Sequence, residues 1–315
     1  MILPNEFKLI DEYFRPLAGP EGLNLADDAA ILAVPPGEDI VISTDAMVEH
    51  THFLGGADPS LLARKLLRTN LSDLAAMGAR PLGYLLTLCL PTTIGNEWLR
   101  GFAAGLAEDQ KSFNVFLFGG DTASTRGPIV ASITILGAVP WGQAVRRSGA
   151  RAGDLVYVTG TIGDGILGLA AARGEISDPD SYLAGRYNLP APRNALPISG
   201  LASAAIDVSD GLAQELGHIA RASRLAITVQ VPDVPISDQA ARFPDRLADM
   251  LAGGDDYELV LAVPPDREAA LVETARRVGV KITRIGICHA GEPDVTLLDA
   301  HGEPIALPRA GWSHF

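Results

Sequence analysis

Five short segments of this sequence place one or two aspartates beside small residues at the end of an apolar run. They are LADDAAIL at 25–32, VISTDAMV at 41–48, LFGGDTAS at 117–124, AIDVSDGL at 205–212 and LAGGDDYE at 251–258. Aspartates without histidine or cysteine companions suit hard cations, and Mg²⁺ binds a few carboxylates while keeping positions for water and phosphate oxygens. The pattern therefore predicts several Mg²⁺ ions, held by Asp27, Asp45, Asp73, Asp121, Asp207 and Asp210.

Glycines adjoin two of these segments and indicate what the ions would hold. Gly119, Gly120, Gly253 and Gly254 would allow the backbone to approach a phosphate group closely. The formal net charge of −13 disfavours binding of a nucleic-acid backbone, because no basic face offsets the repulsion. We expect an acidic protein of this kind to bind a polyphosphate through metal ions.

Each aspartate also has a plain structural interpretation. Asp210 precedes a predicted helix and could be its N-cap, whereas Asp45 and Asp121 could end strands in turns, and Asp27 could lie in a solvated loop. Asp73 differs, because it lies in LSDLAAMG, an apolar stretch of predicted helix. An unpaired carboxylate there would cost several kcal/mol, so a partner is expected, and residues 69–77 contain no lysine or arginine.

A glycine motif in TGTIGDGILGLAAA raises a different function. Gly163, Gly165 and Gly168 follow a predicted strand and open a predicted helix, as in a dinucleotide-binding unit. Such a unit should return to a second strand that ends in an acid about 20 residues further on. The sequence here, ISDPDSYLAGRYNLPAPRN, is proline-rich and polar instead. A simple glycine turn is favoured, and dinucleotide binding remains the alternative.

Four further residues could contact a ligand, although each has a structural alternative. Arg146 and Arg147 could hold a phosphate through paired donors, or could be solvated residues of a linker. His52 has no ligand-like spacing, so a metal role is disfavoured. Trp312 could stack on a heteroaromatic ring or could pack in a core.

The elements that must position these residues alternate between helices and strands, which predicts an α/β protein. Asp58 is expected to cap a helix whose first turn holds Pro59. The predicted helices cover residues 5–17, 58–78, 96–110, 163–174, 210–223 and 266–278. The predicted strands cover residues 39–48, 83–90, 114–120, 128–139, 154–160, 227–231 and 257–263, with one more ending at Asp207 and others closing the chain.

Length and composition set the domain count and the class of protein. At 315 residues the chain can bury two cores, and the stretch 142–153, rich in glycine and arginine, is the best boundary. This predicts an N-terminal domain over 1–147 and a C-terminal domain over 148–315. The first residues do not resemble a signal peptide, no apolar run reaches the roughly 18 residues of a membrane span, and the only two cysteines lie in apolar surroundings. These features predict a soluble, cytoplasmic protein with no membrane partner.

Seven segments taken together resemble one family. They are ISTDAMVEHTHF, NLSDLAAMGARP, FGGDTAST, RSGARAGDLVYVTGTIGDG, IDVSDGLAQELGHIA, GGDDYELVLAVP and the terminal GWSHF. In this order, from about residue 26 to the end, they resemble thiamine-monophosphate kinase, a family in the wider group of aminoimidazole ribonucleotide synthetase and selenophosphate synthetase. The resemblance implies two mixed α/β domains of the aminoimidazole ribonucleotide synthetase type and a homodimer built around a β-barrel.

The resemblance also implies an activity. This is Mg²⁺-assisted, direct in-line transfer of the γ-phosphoryl group of ATP to thiamine monophosphate, which gives thiamine diphosphate and ADP. The acceptor is itself a phosphate with a second pKa of about 6, so it is largely ionised at about pH 7 and needs no dedicated base. The barrier is repulsion between two anions, which ions and positioning can lower. Another ATP-dependent synthetase of the same group is the alternative.

By motif match, the resemblance implies roles for individual residues. Mg²⁺ would be held by Asp27, Ser43, Thr44, Asp45, Asp73, Asp121, Asp207 and Asp210. ATP would contact Gly120, Asp121, Arg147 and Ser209, and thiamine monophosphate would lie at His52, Asp255 and Trp312. Catalysis would depend on Asp121, Arg147 and Asp210. The chain departs from the usual family pattern at Ala26, where glycine is usual, and at Asp255, where glutamate is usual and the present acid is one methylene shorter.

Overall fold

The computed structural model describes residues 6–309 and 311–312, which form two compact units. The first unit holds the described residues up to Leu74 together with Arg80–Gly142. The second holds Ala75–Ala79 and the described residues from Gln143 onward, so that Arg147 belongs to it. The sequence-based division between residues 147 and 148 stays a prediction.

The first unit is built on a four-stranded sheet. Its strand order is β1-β4-β2-β3, in which β2 and β3 are parallel and the other neighbours are antiparallel. The helices are α1 (Glu6–Leu9), α2 (Pro59–Ala76) and α3 (Asn96–Phe113), and the strands are β1 (Glu38–Val48), β2 (Arg80–Pro91), β3 (Phe116–Thr125) and β4 (Val130–Pro140).

Apolar periodicity explains how α2 packs on this sheet. Leucines recur along one side of α2, and Leu66 and Leu71 are fully buried. On β4, Ile133 is buried while its neighbours in sequence are partly exposed, as expected for alternating side chains. The side chain of Leu74 lies directly against Gly137 of β4. One face of the sheet is therefore a core that packs against α2.

The second unit is built on a larger mixed sheet. Its strand order is β10-β7-β9-β5-β8-β6, in which only β10 and β7 are parallel. The helices are α4 (Asp164–Ala172), α5 (Tyr182–Asn188), α6 (Leu212–Ser223), α7 (Leu247–Ala252) and α8 (Glu268–Arg277). The strands are β5 (Leu155–Thr159), β6 (Ala204–Asp207), β7 (Ala226–Gln230), β8 (Leu259–Val263), β9 (Ile282–His289) and β10 (Asp294–Leu298).

Both faces of this second sheet are covered, as its central strand shows. All five residues of β5 are buried. Val156 and Val158 belong to a core cluster that includes residues of α6, whereas Leu155 and Tyr157 belong to one that includes residues of α8. A strand with apolar residues on both faces needs a layer on each side, and α6 and α8 supply those layers. The packing of α6 fixes the start of this helix, where several predicted site residues lie.

The structure confirms most predicted elements and adds two short helices. Asp58 caps α2 as predicted, since its Oδ1 accepts the amide of Leu61 at 2.9 Å. The predicted first helix changes type along its length: α1 continues as a π-helix over Ile10–Phe14 and a 3₁₀ turn over Arg15–Leu17, where Pro16 has no amide to donate. The two helices missed from sequence, α5 and α7, have seven and six residues, too few for a periodic pattern, and helices this short depend on tertiary packing.

The mixed α/β content predicted from sequence is confirmed. Neither sheet closes on itself within the described ranges: β1 and β3 are the edges of the first sheet, and β10 and β6 are the edges of the second. None of the helices in the described part of the chain is both long and apolar enough to cross a membrane.

Candidate active site

Two predicted metal ligands of the first unit meet where β1 passes α2. The Ser43 hydroxyl donates a 2.6 Å hydrogen bond to Oδ2 of Asp73. Two positions further along β1, the amide of Asp45 donates to Oδ1 of Asn70 at 3.1 Å. The expected partner of Asp73 therefore includes a hydroxyl from a strand that is distant in sequence, which is why the local sequence of α2 could not reveal it.

Strand alternation places Thr44 on the other face of the sheet. Its Oγ1 donates to the carbonyl of Ile133 in β4 at 3.0 Å and accepts a hydrogen bond from Oγ1 of Thr134 at 3.1 Å. Ser43 and Thr44 are both predicted Mg²⁺ ligands, but their side chains project from opposite faces. The structure brings Ser43, and not Thr44, to Asp73.

The remaining predicted residues of the first unit lie at its surface or at the end of a strand. Asp27, Asp45 and Asp121 are exposed. Asp45 lies inside β1 and Asp121 inside β3, so the interpretation that these two aspartates end strands in turns is wrong. Nδ1 of His52 accepts the amide of Val48 at 3.0 Å, which fixes the imidazole ring beside the last residue of β1.

In the second unit, Asp207, Ser209 and Asp210 lie on the short connection from β6 to α6. Asp207 is the buried last residue of β6. The residue that precedes α6 is Gly211, with φ of 119°, and no side chain caps this helix. The interpretation of Asp210 as an N-cap is therefore wrong. Its Oδ2 instead accepts a 3.3 Å hydrogen bond from Nε2 of Gln214.

Two predicted substrate residues are attached to the same connection. The backbone amide of Trp312 donates a hydrogen bond to the carbonyl of Asp210 at 3.0 Å, and the carbonyl of Trp312 accepts one from Nε2 of Gln214 at 3.1 Å. The amide of Asp255 donates to the carbonyl of Ser209 at 2.9 Å. Trp312 is 46% exposed, which is not the burial of a core residue. The fold thus joins Ser209, Asp210, Asp255 and Trp312, which come from three separate parts of the sequence.

A buried glutamate that the sequence analysis overlooked supports this connection. Oε1 of Glu215 accepts the amide of Asp210 at 3.3 Å and the hydroxyl of Ser209 at 3.4 Å. Burial raises the pKa of Glu215 to about 7, and the Asp210 amide and the positive charge of Arg147 act in the opposite direction. The predicted nucleotide-binding Arg147 therefore lies near this connection. A glutamine or glutamate in the first turn is a common signal of a helix start, so the sequence SDGLAQE could have drawn attention to Gln214 and Glu215.

The glycines beside the aspartates make room for protein atoms. A Cβ at Gly120 would collide with the carbonyl of Leu86 in β2, and a Cβ at Gly254 would collide with the carbonyl of Ser209. These positions allow β3 to pair with β2, and the loop after α7 to lie on the connection before α6. At 120, 253 and 254 the protein itself therefore requires glycine, and the expectation that these glycines also let the backbone approach a phosphate stays a prediction.

The glycine motif at 163–168 opens α4, but a carboxylate of the protein already occupies this helix N-terminus. The amides of Gly163 and Gly165 donate to Oδ2 and Oδ1 of Asp256 at 2.7 and 2.8 Å. The preceding strand, β5, is antiparallel to both of its neighbours, whereas a dinucleotide-binding unit needs parallel strands. The alternative of dinucleotide binding through Gly163, Gly165 and Gly168 is therefore wrong.

Asp256 belongs to a buried acid cluster, which we define as Asp164, Asp256 and Glu258 with Arg186 and Arg193. Each of the three acids is at most 1% exposed. Glu258 accepts hydrogen bonds from Arg186 at 2.9 Å and from Nε of Arg193 at 2.5 Å. Burial raises the pKa of Asp256 to about 8, and its two helix amides oppose that rise. The cluster lies directly behind the loop that carries Asp255.

The predicted metal ligands match Mg²⁺ in donor type. Within residues 6–309 and 311–312, no group of three or more histidine, cysteine, aspartate or glutamate side chains is gathered closely enough to hold a metal ion. The predicted ligands are nevertheless all carboxylates or hydroxyls, and the bonded pair Ser43 and Asp73 presents one of each. Mg²⁺ prefers oxygen ligands of this kind.

Comparison with known protein families identifies the class of this protein. The family model described as "AIR synthase related protein, N-terminal domain" matches residues 26–139, and the one described as "AIR synthase related protein, C-terminal domain" matches residues 151–297. The fold and these matches define a two-domain protein of the AIR synthase related class.

Comparison with individual proteins identifies the group within this class to which the chain is similar. The chain is 43% identical to thiamine-monophosphate kinase from Caulobacter vibrioides, over 99% of this chain and 91% of that protein. The crystal structure of thiamine-monophosphate kinase from Stenotrophomonas maltophilia K279a superposes with a TM-score of 0.85 at 36% identity, over 97% of this chain and 99% of that one. A structure described as "AaThiL complexed with AMPPCP and TMP" gives a TM-score of 0.79 at 28% identity, over 98% and 97% of the two chains.

This chain belongs to the AIR synthase related family and, within it, to the thiamine-monophosphate kinases. The family resemblance predicted from the seven motif segments is thereby confirmed.

Proposed function

We propose that this protein transfers the γ-phosphoryl group of ATP directly to thiamine monophosphate, giving thiamine diphosphate and ADP. Its family membership supports this activity, as does its similarity along nearly the whole chain to a protein solved with AMPPCP and TMP. The observation that carries the proposal is the set of hydrogen bonds that joins Ser209, Asp210, Asp255 and Trp312 in the second unit. These residues are the ones to which the family resemblance gives nucleotide, metal and substrate roles.

In this proposal, oxygen ligands of the protein hold several Mg²⁺ ions. When bound, Mg²⁺ offsets the repulsion between the two anions that react. The hydrogen bond from Gln214 to Oδ2 of Asp210 sets the direction in which this carboxylate offers its remaining lone pairs. The ligands would be Asp27, Ser43, Thr44, Asp45, Asp73 and Asp121 of the first unit, and Asp207 and Asp210 of the second.

The nucleotide would contact Gly120, Asp121, Arg147 and Ser209. The exposed guanidinium of Arg147 can present two parallel donors to a phosphate group. Asp121, Arg147 and Asp210 would be the catalytic residues, because each places charge, directly or through an ion, beside the phosphates that react. No general base is assigned, since the attacking group is a phosphate that is already ionised near neutral pH.

Thiamine monophosphate would lie at His52, Asp255 and Trp312. Because Nδ1 of His52 accepts the Val48 amide, a neutral His52 carries its proton on Nε2 and can donate it to a phosphate oxygen. The ring of Trp312 is exposed enough to stack on a heteroaromatic ring of the substrate.

The first sheet supports a homodimer built around a β-barrel. On the face that also carries Thr44, Ile42 is 63% and Leu85 is 40% exposed, and Ile42 pairs in register with Leu136 of β4. Apolar residues exposed together on a sheet face are typical of protein interfaces. Sedimentation equilibrium should therefore give twice the 33.1 kDa mass of the chain, and Ile42→Asp should shift the population toward the single chain. A wild-type protein that sediments as one chain at all concentrations would contradict the dimer.

The proposed activity is tested with one acceptor at a time. Purified protein, ATP and Mg²⁺ are incubated with thiamine monophosphate, with thiamine, or with no acceptor, and ADP release is measured. ADP should form only with thiamine monophosphate, because the acceptor group is its phosphate. Equal ADP release without an acceptor would mean that the phosphoryl group passes to water, and this result, like the absence of ADP at every Mg²⁺ concentration, would contradict the proposal.

A further inference from the structure

The loop after α7 holds two non-glycine residues in left-handed backbone conformations, one on each side of Asp256. Asp255 has φ of 70° and Tyr257 has φ of 51°. For a bulky residue such as tyrosine this angle is a genuine outlier, and it persists only where the surrounding structure holds it. Strain of this kind is concentrated at functional sites. The contacts of Asp256 show what holds the loop.

Asp256 fastens the loop to the N-terminus of α4. Each of its carboxylate oxygens accepts a backbone amide, from Gly163 at 2.7 Å and from Gly165 at 2.8 Å. A helix N-terminus favours negative charge, and these amides have no partner within the helix. In a dinucleotide-binding protein the same amides would hold a phosphate. Here the side chain of the protein takes that place and anchors its own loop.

A second set of bonds holds the loop from the opposite side. The amides of Asp255 and Tyr257 donate to the carbonyls of Ser209 and Val208 at 2.9 and 2.8 Å. Asp256 is 1% exposed, whereas Asp255 is only partly buried. The two neighbouring acids therefore differ: Asp256 is enclosed in the interior, whereas Asp255 stays partly accessible and its backbone is bonded to the connection that carries Asp210.

We propose that Asp256 is a positioning residue, whose two bonds to the α4 amides hold Asp255 in the left-handed conformation that presents its carboxylate to thiamine monophosphate. This inference rests on the proposed function, because it takes Asp255 as a contact of that substrate. It assigns a role to the second acid of GGDD, and it explains why glycines that resemble a phosphate-binding loop stand at the start of α4.

Asp256→Asn tests the inference, with Asp164→Asn as the matched control. Asparagine keeps the volume of the side chain but leaves one oxygen for two amides. Asp164 is also fully buried, and its oxygens bind the hydroxyls of Thr161 and Ser237 at 2.6 and 2.5 Å. The control therefore removes a buried charge from the same cluster without releasing the loop. Binding of thiamine monophosphate and of AMPPCP is measured by calorimetry at about pH 9, above the pKa of about 8 of Asp256 so that this acid is ionised, and Tm is measured for each protein.

A small displacement of a binding group can cost up to about 100-fold, so Asp256→Asn should raise the Kd of thiamine monophosphate by about 10- to 100-fold. The Kd of AMPPCP should stay within about twofold, because Asp255 does not contact the nucleotide in this account. Asp164→Asn should lower Tm but leave both dissociation constants near those of the wild type. In an Asp255→Ala background, Asp256→Asn should add no further loss of thiamine monophosphate binding, because it acts through Asp255.

Equal weakening of thiamine monophosphate binding by Asp256→Asn and Asp164→Asn, in proportion to the loss of Tm, would overturn the inference and leave the proposed function intact. A wild-type protein that does not bind thiamine monophosphate would overturn both. If Asp256→Asn does not fold, Gly165→Ala tests the same inference. Its added Cβ would collide with the carbonyl of Asp255 and so displace the loop, while the Asp256 side chain is kept. A folded Gly165→Ala that binds thiamine monophosphate like the wild type would overturn the inference.

Discussion

The sequence GGD occurs twice, at 119–121 and at 253–255, and its two copies have different structures. The first lies inside the edge strand β3, where Asp121 is exposed and Gly120 lets β3 pair closely with β2. The second lies in the loop after α7, where Asp255 has a left-handed backbone and the next residue, Asp256, anchors the loop in the interior. The same three letters give an exposed carboxylate on a strand in one unit and, in the other, a partly buried carboxylate on a loop that the buried Asp256 anchors.

This difference separates two uses of acidic residues. An exposed carboxylate such as Asp121 exchanges water for an ion at low cost. A buried carboxylate paired with arginine cannot change partners in this way, because an unpaired charge in the interior is strongly destabilising. We therefore expect the acids that solvent can reach, Asp121 and the partly buried Asp210, to control turnover, and the buried acid cluster to control stability and the position of the loop.

The largest effect should come from removing a charge at a proposed metal ligand. Asp121→Asn and Asp210→Asn keep the shape of the side chain, but each removes a charge that binds Mg²⁺. Because metal ions supply several kcal/mol of transition-state stabilisation, turnover should fall by about 100-fold or more. Steady-state kinetics over a range of Mg²⁺ concentrations, with Tm for each variant, measure this effect.

A matched control for this substitution lies far from the proposed ligands in sequence. The side chain of Asp266 is 76% exposed, and Asp266→Asn should leave turnover unchanged. Near-normal turnover in both Asp121→Asn and Asp210→Asn would mean that these acids do not serve the reaction. It would contradict the expectation that turnover depends on them.

The sequence predicted most of the fold because the long elements have clear periodicity. It also predicted that Ser209, Asp210, Asp255 and Trp312 serve one site, although only through family resemblance. It could not show the pairing of Ser43 with Asp73 or the anchoring of Asp256, because both depend on contacts between distant segments. The protein atoms that lie against the glycines of GGD could not be foreseen for the same reason, because they belong to segments distant in sequence or to the fold around them.

The second largest effect concerns stability. Glu258→Gln removes the buried anion that Arg186 and Arg193 share, and breaking a buried ion pair in this way costs about 3–5 kcal/mol. Urea unfolding at neutral pH measures the loss. As a control, Glu38→Gln removes the surface partner of Arg80, whose side chain is 54% exposed, and should cost about 1 kcal/mol or less. A similar, small loss in both variants would contradict the distinction between buried and exposed acids.

The smallest effect should come from Trp312→Ala. Stacking of an aromatic ring adds roughly 0.5 to 1.5 kcal/mol beyond burial, so KM for thiamine monophosphate should rise several-fold, while KM for ATP and Tm change little. The 46% exposure of Trp312 supports the small effect on Tm. Loss of several degrees of Tm, or equal weakening of both substrates, would show that Trp312 is a structural residue.

The central claim, direct phosphoryl transfer between two phosphates, is tested by the fate of the γ-phosphate. The protein is incubated with Mg²⁺, thiamine monophosphate and ATP labelled at the γ-phosphate, and the products are separated by chromatography. The label should appear in thiamine diphosphate, in the same molar amount as the ADP formed. Label found only in inorganic phosphate, with no labelled thiamine diphosphate, would contradict it.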